Sequence, residues 1–302
     1  MTFARTVRAV LLLAAAAAAA LPAAASAAEK VDLLLVLAAD VSRSVDAAKF
    51  QLQREGYAAA ISDPRVIEAV SSGRYGRIAL TFVEWSGVGA QRVVIDWTII
   101  ANAEQARGFA DRLLEAPRSF SDRTSISGAI EFAMGQMARA PVEAARHTID
   151  ISGDGTNNAG RDVASARDEA LAKGVTINGI VILSETPLAW NPDHTNPPGG
   201  LENYYRNNVI GGPGAFVMVA QNFNSFGQAI VKKMIAEVAQ AYRRPLLHAS
   251  LRLRSKRRAF RRGNGRIAVF ALRNNDLPGP AAAAATKGTQ MGGMLQVSRQ
   301  PV

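Results

Sequence analysis

Apolar and polar residues follow two periods along residues 29–242, and this pattern predicts an α/β domain. Short apolar runs indicate strands, and apolar residues recurring every three or four positions indicate helices. The predicted strands cover residues 31–39, 77–85, 91–100, 147–152, 175–183 and 215–220. The predicted helices cover residues 46–61, 103–115, 124–137, 162–173 and 223–242. Because strands alternate with helices, we expect a single open, mostly parallel sheet with helices on both faces.

One strand of this sheet is expected to run antiparallel at the edge. The second and third predicted strands are joined only by residues 86–90, which include two glycines. A parallel connection needs a crossover of a dozen or more residues, so this link fits only a hairpin. The sequence therefore predicts one antiparallel strand in an otherwise parallel sheet.

Residues 1–27 have the pattern of a secretory signal peptide. Arg5 and Arg8 precede an apolar run over residues 9–21, and the small residues Ala25, Ser26 and Ala27 follow as a cleavage site. The run is shorter than the ~20 residues that a membrane-spanning helix needs, although a retained anchor is the alternative interpretation. We therefore expect an exported protein, periplasmic or extracellular.

The basic character of the chain belongs to its C-terminal part. The net charge is +10, yet residues 243–302 alone carry thirteen Lys or Arg and one acid. We expect a domain at 28–242 and a disordered basic tail at 243–302, which is either an arm for anionic surfaces or an extension without a partner. No nucleic acid is expected as a partner of the domain. The absence of cysteine excludes disulfides and cysteine-ligated metals.

Oxygen-bearing side chains follow the first predicted strand and recur at two later loops. Asp40, Ser42 and Ser44 end the first apolar run, Thr124 begins a helix, and Asp154 follows the strand 147–152. Ligands of open parallel sheets bind outside the carboxyl ends of the strands, where these side chains would meet. Carboxylate and hydroxyl oxygens suit Mg²⁺ or Ca²⁺. Ordinary capped turns are the alternative, since Asp and Ser are common loop residues.

This set resembles the metal-ion-dependent adhesion site of the von Willebrand factor type A family, whose pattern is Asp-x-Ser-x-Ser, a distant Thr and a distant Asp usually followed by Gly. The resemblance implies that family's Rossmann-like fold and a divalent cation, most often Mg²⁺ and otherwise Mn²⁺ or Ca²⁺. It also implies an open coordination position for an acidic group of a partner. Within the family, the chain is similar to a bacterial exported branch of unknown function. The segments that carry this similarity are 38–44, 84–87, 150–155 with 157–158, and 209–216.

One position departs from the family pattern. The residue before the last Asp is usually Thr or Ser, whereas this chain has Gly153. Asp150 is therefore an alternative ligand. It lies in the middle of a strand, where a carboxylate is costly unless paired, so Asp154 is preferred.

The resemblance implies a binding module and not an enzyme. The partner would be another protein or an acidic ligand, and it would bind to the domain through the metal ion. The chain has no Gly-x-Ser-x-Gly elbow and no Walker loop, and Ser42 stands where a haloacid-dehalogenase phosphatase has its second Asp. A metal-dependent phosphohydrolase-like enzyme and a structural envelope protein with a vestigial site remain alternatives. Glu84 and Asn157 are further candidate ligand contacts.

Overall fold

A computed structural model describes residues 28–184 and 187–239. The strands are β1 (Glu29–Val31), β2 (Leu33–Asp40), β3 (Ile78–Trp85), β4 (Gln91–Ile100), β5 (Val142–Ala144), β6 (His147–Gly153), β7 (Thr176–Ile182) and β8 (Val217–Ala220). The helices are α1 (Ala47–Ile61), α2 (Pro64–Ser71), α3 (Ala103–Glu115), α4 (Ile126–Ala138), α5 (Val163–Ala172), α6 (Pro192–Thr195), α7 (Leu201–Tyr204) and α8 (223–239), and a π-helical turn, Tyr205–Val209, follows α7 directly.

The main sheet has six strands in the order β4-β3-β2-β6-β7-β8. Only the β3–β4 pair is antiparallel among these, and β4 lies at the edge. The predicted fold class, with its single antiparallel edge strand, is therefore confirmed. β2 lies in the middle and is buried along its whole length, as its continuous apolar run predicted.

Apolar side chains form a core on each face of the sheet. One core packs against α1, α2, α3 and α8, and its largest members include Tyr57, Phe82 and Phe226. The other packs against α4, α5 and α7, and contains Trp85 and Tyr205. Helices therefore cover both faces of the sheet, and loops lie at the ends of the strands.

The first predicted strand is split at Asp32. The Asp32 carboxylate accepts hydrogen bonds from the backbone N–H groups of Tyr75 and Arg77, which separates β1 from β2. β1 then pairs in parallel with β5 as a second, two-stranded sheet. The sequence pattern did not predict this pair, because strands of three residues carry too little periodicity to be recognised.

A buried charge cluster joins α8 to the middle of the sheet. Lys233 Nζ lies 2.9 Å from Asp150 Oδ1 and 2.5 Å from Glu237 Oε1, and all three side chains are fully buried. Asn178 Nδ2 donates to Glu237 Oε2 at 2.8 Å. Burial raises the pKa of Asp150 to about 6, against the opposing effect of the Lys233 charge. Burial alone would lower the pKa of Lys233, but the two carboxylates outweigh burial and raise it.

The glycine-rich segment before β8 is a turn, as predicted. Gly212 and Gly214 have φ values of 95° and 78°, a region that side-chain-bearing residues seldom adopt. Gly211 pairs with Ile177 in an isolated antiparallel bridge, which holds the turn against β7.

The predicted signal peptide (1–27) and the tail (243–302) lie outside the described residues. Within the described ranges, none of the helices has the length and apolar character needed to cross a membrane.

Candidate functional site

The carboxyl ends of β2 and β6 form the crevice where the candidate site lies. The chain runs from β2 to β3 on one side and from β6 to β7 on the other, so the strand order reverses between β2 and β6. Loops diverge at such a point and leave room for a ligand. Asp40 is the last residue of β2, and Asp154 directly follows β6.

A string of hydrogen bonds connects the two carboxylates. The Ser42 backbone N–H donates to Asp40 Oδ1 at 2.7 Å, and Ser42 Oγ lies 3.1 Å from Ser44 Oγ. The Ser44 hydroxyl donates to Asp154 Oδ1 at 2.5 Å. Four of the five predicted residues are thus in one connected group, and each is at most 5% exposed.

Thr124, the fifth predicted residue, reaches the same place from a third loop. The Arg43 N–H donates to the carbonyl of Asp122, which joins the Thr124 loop to the Ser42 loop. The Thr124 N–H donates to Asn158 Oδ1 at 2.9 Å, which joins it to the loop after Asp154. Thr124 and Ser44 both line a pocket of about 270 Å³.

Two carboxylate oxygens in this group lack a hydrogen-bond partner. Asp40 Oδ2 and Asp154 Oδ2 are both buried and accept no hydrogen bond, although Lys49 Nζ lies 3.9 Å from Asp154 Oδ2 as an ion pair. Burial raises the pKa of Asp40 to about 8, and the charge of Asp154 acts in the same direction. Burial also raises the pKa of Asp154. Buried carboxylate oxygens that accept no hydrogen bond are costly, so a cation bound beside them would stabilise the site.

The donor chemistry fits a hard divalent cation. The described residues contain no group of three or more His, Asp or Glu side chains arranged to hold a metal ion. The candidate set is of another kind, with two carboxylates and three hydroxyls. All five donors are oxygen, which is the ligand type of Mg²⁺, Ca²⁺ and Mn²⁺.

His194 belongs to the site, although its sequence neighbourhood contains no motif that would reveal it. It is buried in α6, with Nε2 lying 3.2 Å from Thr124 Oγ1 and Nδ1 lying 3.3 Å from Thr156 Oγ1. Burial lowers the pKa of His194, which favours the neutral ring. The ring also packs where a side chain at position 155 would be, so Gly155 is required there. His194 therefore supports Thr124 and the loop after β6.

The lining of the 270 Å³ pocket includes two cationic side chains and an aromatic ring. Arg43 and Arg123 line it together with Trp190, whose side chain is 67% exposed. Arg43 Nη2 is 3.7 Å from Asp122 Oδ1, a pair that is too exposed to contribute much to stability. Asp122 lines the same pocket, so the lining carries two cationic side chains and one carboxylate.

Glu84 does not fit the predicted ligand contact. It is fully buried, and its Oε1 accepts from Arg54 Nη2 at 2.5 Å and from Arg54 Nε at 3.1 Å. Its Oε2 accepts from the Ser119 N–H at 2.8 Å. Because both oxygens are used and no surface is exposed, Glu84 has a structural role beneath the loops.

Asn157 is likewise engaged within the protein. Its Oδ1 accepts from the Ser127 N–H at the start of α4, and its Nδ2 donates to the Arg161 carbonyl. The neighbouring Asn158 lines the pocket in its place. Asp150, the alternative ligand, is paired with Lys233 in the core and is not part of the connected group.

The fold is similar to that of several solved structures. Proximal thread matrix protein 1 from the mussel byssus, in a structure with a zinc-occupied MIDAS motif, has 16% identity over 70% of this chain and 49% of that chain, with a TM-score of 0.46. The pilus adhesin SpaC from Lactobacillus rhamnosus GG, in its open conformation, has 13% identity over 70% of this chain and 30% of that chain, with a TM-score of 0.48. A von Willebrand factor type A structure from Catenulispora acidiphila has 12% identity over 71% of this chain and 43% of that chain, with a TM-score of 0.43.

These similarities concern the fold alone, and the chain spans half or less of the length of these three proteins. A von Willebrand factor type A structure is among them. No curated protein matches the chain. A family model matches residues 30–242, which is the whole of the predicted domain apart from its first two residues. The chain therefore belongs to the family described as "Protein of unknown function (DUF1194)".

Proposed function

We propose that this chain is an exported binding module that engages an acidic group of a partner, a protein or another acidic ligand, through a divalent cation. The residues that would hold the cation are Asp40, Ser42, Ser44, Thr124 and Asp154. The observation that carries the proposal is the pair of buried oxygens that accept no hydrogen bond, Asp40 Oδ2 and Asp154 Oδ2, at the ends of the neighbouring strands β2 and β6.

The protein's own residues favour binding over turnover. Ser44, which donates to Asp154, lines a pocket together with Arg43, Arg123 and Asp122, and this lining has one more positive than negative charge, which favours an anion. A divalent cation bound at the carboxylates supplies further positive charge beside that pocket. The ring nitrogens of His194 are both occupied by neighbouring polar groups, which makes this residue a support and not a free base.

Mg²⁺ is the cation that we propose first, with Mn²⁺ and Ca²⁺ as the other members of the same chemical class. Oxygen-only donor sets favour these hard ions over softer ones. Neutral hydroxyls provide three of the five donors, so we expect Ser42→Ala to weaken metal binding less than loss of either carboxylate.

Thermal unfolding of the purified full-length protein with Mg²⁺, Mn²⁺, Ca²⁺ or chelator tests the metal site. A cation that binds only the folded state stabilises it by about 2.7 kcal/mol at a hundredfold excess over Kd. We expect Asp40→Asn to abolish the metal-dependent rise in Tm and to leave the metal-free protein as stable as wild type or more stable, because a buried carboxylate is removed. Glu68→Gln, an exposed change on α2, is the control. An equal shift in Asp40→Asn, or no shift in wild type with any of these cations, would refute the proposal.

A pulldown from the exported fraction, with metal or with chelator, tests the partner. We expect capture only with metal, and reduced capture by Arg123→Ala. Assay of the same preparation for metal-dependent phosphate release tests the phosphohydrolase alternative, and turnover abolished by Asp40→Asn would favour that enzyme.

A further inference from the structure

The glycine that departs from the family pattern is explained by a tyrosine. A Cβ atom added to Gly153 would lie 2.4 Å from Tyr205 Oη, which is far closer than real atoms approach. The φ of Gly153 is not positive, so the backbone would accept a side chain there. Gly153 is thus required by the tyrosine hydroxyl and not by the conformation of the strand.

A slot in the sheet holds the tyrosine ring. Gly179 lies on the neighbouring strand β7, and a Cβ atom there would be 3.0 Å from Tyr205 Cδ1. Gly179 pairs with Ile151, two residues before Gly153, so both glycines face the same side of the sheet. The ring lies against these two glycines and is fully buried. Tyr205 begins the π-helical turn, a rare local structure that is frequent at functional sites.

The hydroxyl points toward the candidate metal site. Asp40 Oδ2 lies 3.2 Å from the same hypothetical Cβ position, so the distance from Oδ2 to Tyr205 Oη is at most the sum of these two short distances. Both oxygens are buried, and neither has a hydrogen-bond partner. One is a donor and the other an acceptor, and the gap allows a direct hydrogen bond after a small movement or one bridging water.

We propose that Tyr205 is a positioning residue of the metal site, whose hydroxyl takes the place of the Ser or Thr usually found at position 153 and orients Asp40 by donating to its Oδ2. This inference rests on the proposed metal-binding function. Groups that hydrogen-bond to metal ligands typically contribute 10–100-fold to metal affinity. Loss of the hydroxyl should therefore weaken binding without removing any ligand.

The test measures Mn²⁺ affinity by electron paramagnetic resonance titration and stability in chelator by thermal unfolding. We expect Tyr205→Phe to weaken Mn²⁺ binding by roughly 10-fold or more. Its metal-free stability should be unchanged or higher, because an unpaired buried hydroxyl is removed. Tyr57→Phe is the matched control: Tyr57 is equally buried and its hydroxyl also lacks a hydrogen-bond partner, but its ring packs against Phe82 and Phe226 in the core on the other face of the sheet.

Substitution at position 153 separates positioning from mere packing. Gly153→Ser alone should destabilise the protein, because the new Cβ meets Tyr205 Oη. In the Tyr205→Phe background the closest neighbour of the new Cβ is Asp40 Oδ2 at 3.2 Å. This contact is relieved by a small shift of the Asp40 side chain, so Gly153→Ser should be accommodated and its hydroxyl should restore part of the Mn²⁺ affinity.

The outcomes distinguish this inference from the function on which it rests. If wild type binds no Mn²⁺, the proposed function fails, and the positioning role fails with it. If wild type binds and Tyr205→Phe binds equally well, only the positioning role is overturned. The same conclusion follows if Gly153→Ser in the Tyr205→Phe background restores no affinity.

Discussion

Replacing Lys233 with methionine should cause one of the largest losses of stability available in this domain. The ammonium group is fully buried and contacts Asp150 at 2.9 Å and Glu237 at 2.5 Å. Methionine fills similar space but leaves two carboxylates in the core without a cation. Removing one partner of a buried ion pair costs about 3–5 kcal/mol, and this lysine serves two partners. For a domain of this size the loss corresponds to a fall in Tm of about 6–20 °C.

The assay is urea and thermal unfolding in chelator at pH 7.5 and pH 5. We expect a smaller loss at pH 5, because burial raises the pKa of Asp150, and without the lysine this carboxyl group takes up a proton more readily in the folded state than in the unfolded one. Lys232→Met is the matched control, since Lys232 is the exposed neighbour on the same helix. Combining Lys233→Met with Asp150→Asn and Glu237→Gln should recover most of the loss. A loss below ~1 kcal/mol in the single variant would refute the reasoning, because even surface pairs reach that value.

Four further predictions concern other parts of the chain. Asp150→Asn should reduce the dependence of the free energy of unfolding on pH. Burial raises the folded-state pKa of Asp150 to about 6, so this carboxyl group stabilises the fold at low pH and loses that contribution as the pH rises through 6. Unfolding measured from pH 4 to pH 8 checks this. Glu84→Gln should cost about 3–5 kcal/mol by leaving Arg54 unpaired in the core, yet preserve the metal-induced shift in Tm; a lost shift would return Glu84 to the site. N-terminal sequencing of exported protein should give a start near Ala28, whereas an intact Met1 would favour an anchor. Truncation after Arg244 should leave Tm nearly unchanged, and a loss above ~2 kcal/mol would make the tail part of the fold.

The main elements were predictable because their signals are local. The ten residues of β4 and the thirteen of α3 have the predicted boundaries, and Asp46 caps α1 as expected. α2 was missed although Asp63 and Pro64 form a recognisable helix start, because its eight residues show little more than two turns of periodicity. The π-helical turn after α7 could not be predicted, since it depends on the fit of one side chain into the sheet.

The residues of the candidate site that lie at strand ends could be predicted from the sequence. Side-chain contacts between residues that are distant in the sequence could not. A strand brings its last residue to a known edge, so Asp40 and Asp154 could be expected to lie close together. The partner of Glu84 is Arg54, thirty residues earlier on a helix, and sequence spacing does not indicate such a contact. Asn157 and Asn158 are adjacent and chemically identical, and only the direction of the turn decides which one lines the pocket. The roles of the five predicted metal ligands stay predictions.

The buried lysine also fixes the registry of the last described helix. Lys233 and Glu237 are one helical turn apart, so a slide of α8 by one turn along its axis could bring a carboxylate to face Asp150 inside the core. A helix held only by apolar side chains can slide and replace one apolar contact with a similar one. If α8 slid in this way, the attraction between Lys233 and Asp150 would be replaced by repulsion between two carboxylates. We infer that the charges select a single registry between α8 and β6. β6 leads directly into Asp154. The charges therefore also fix the position of α8, the last described helix, relative to the strand that ends at the candidate site.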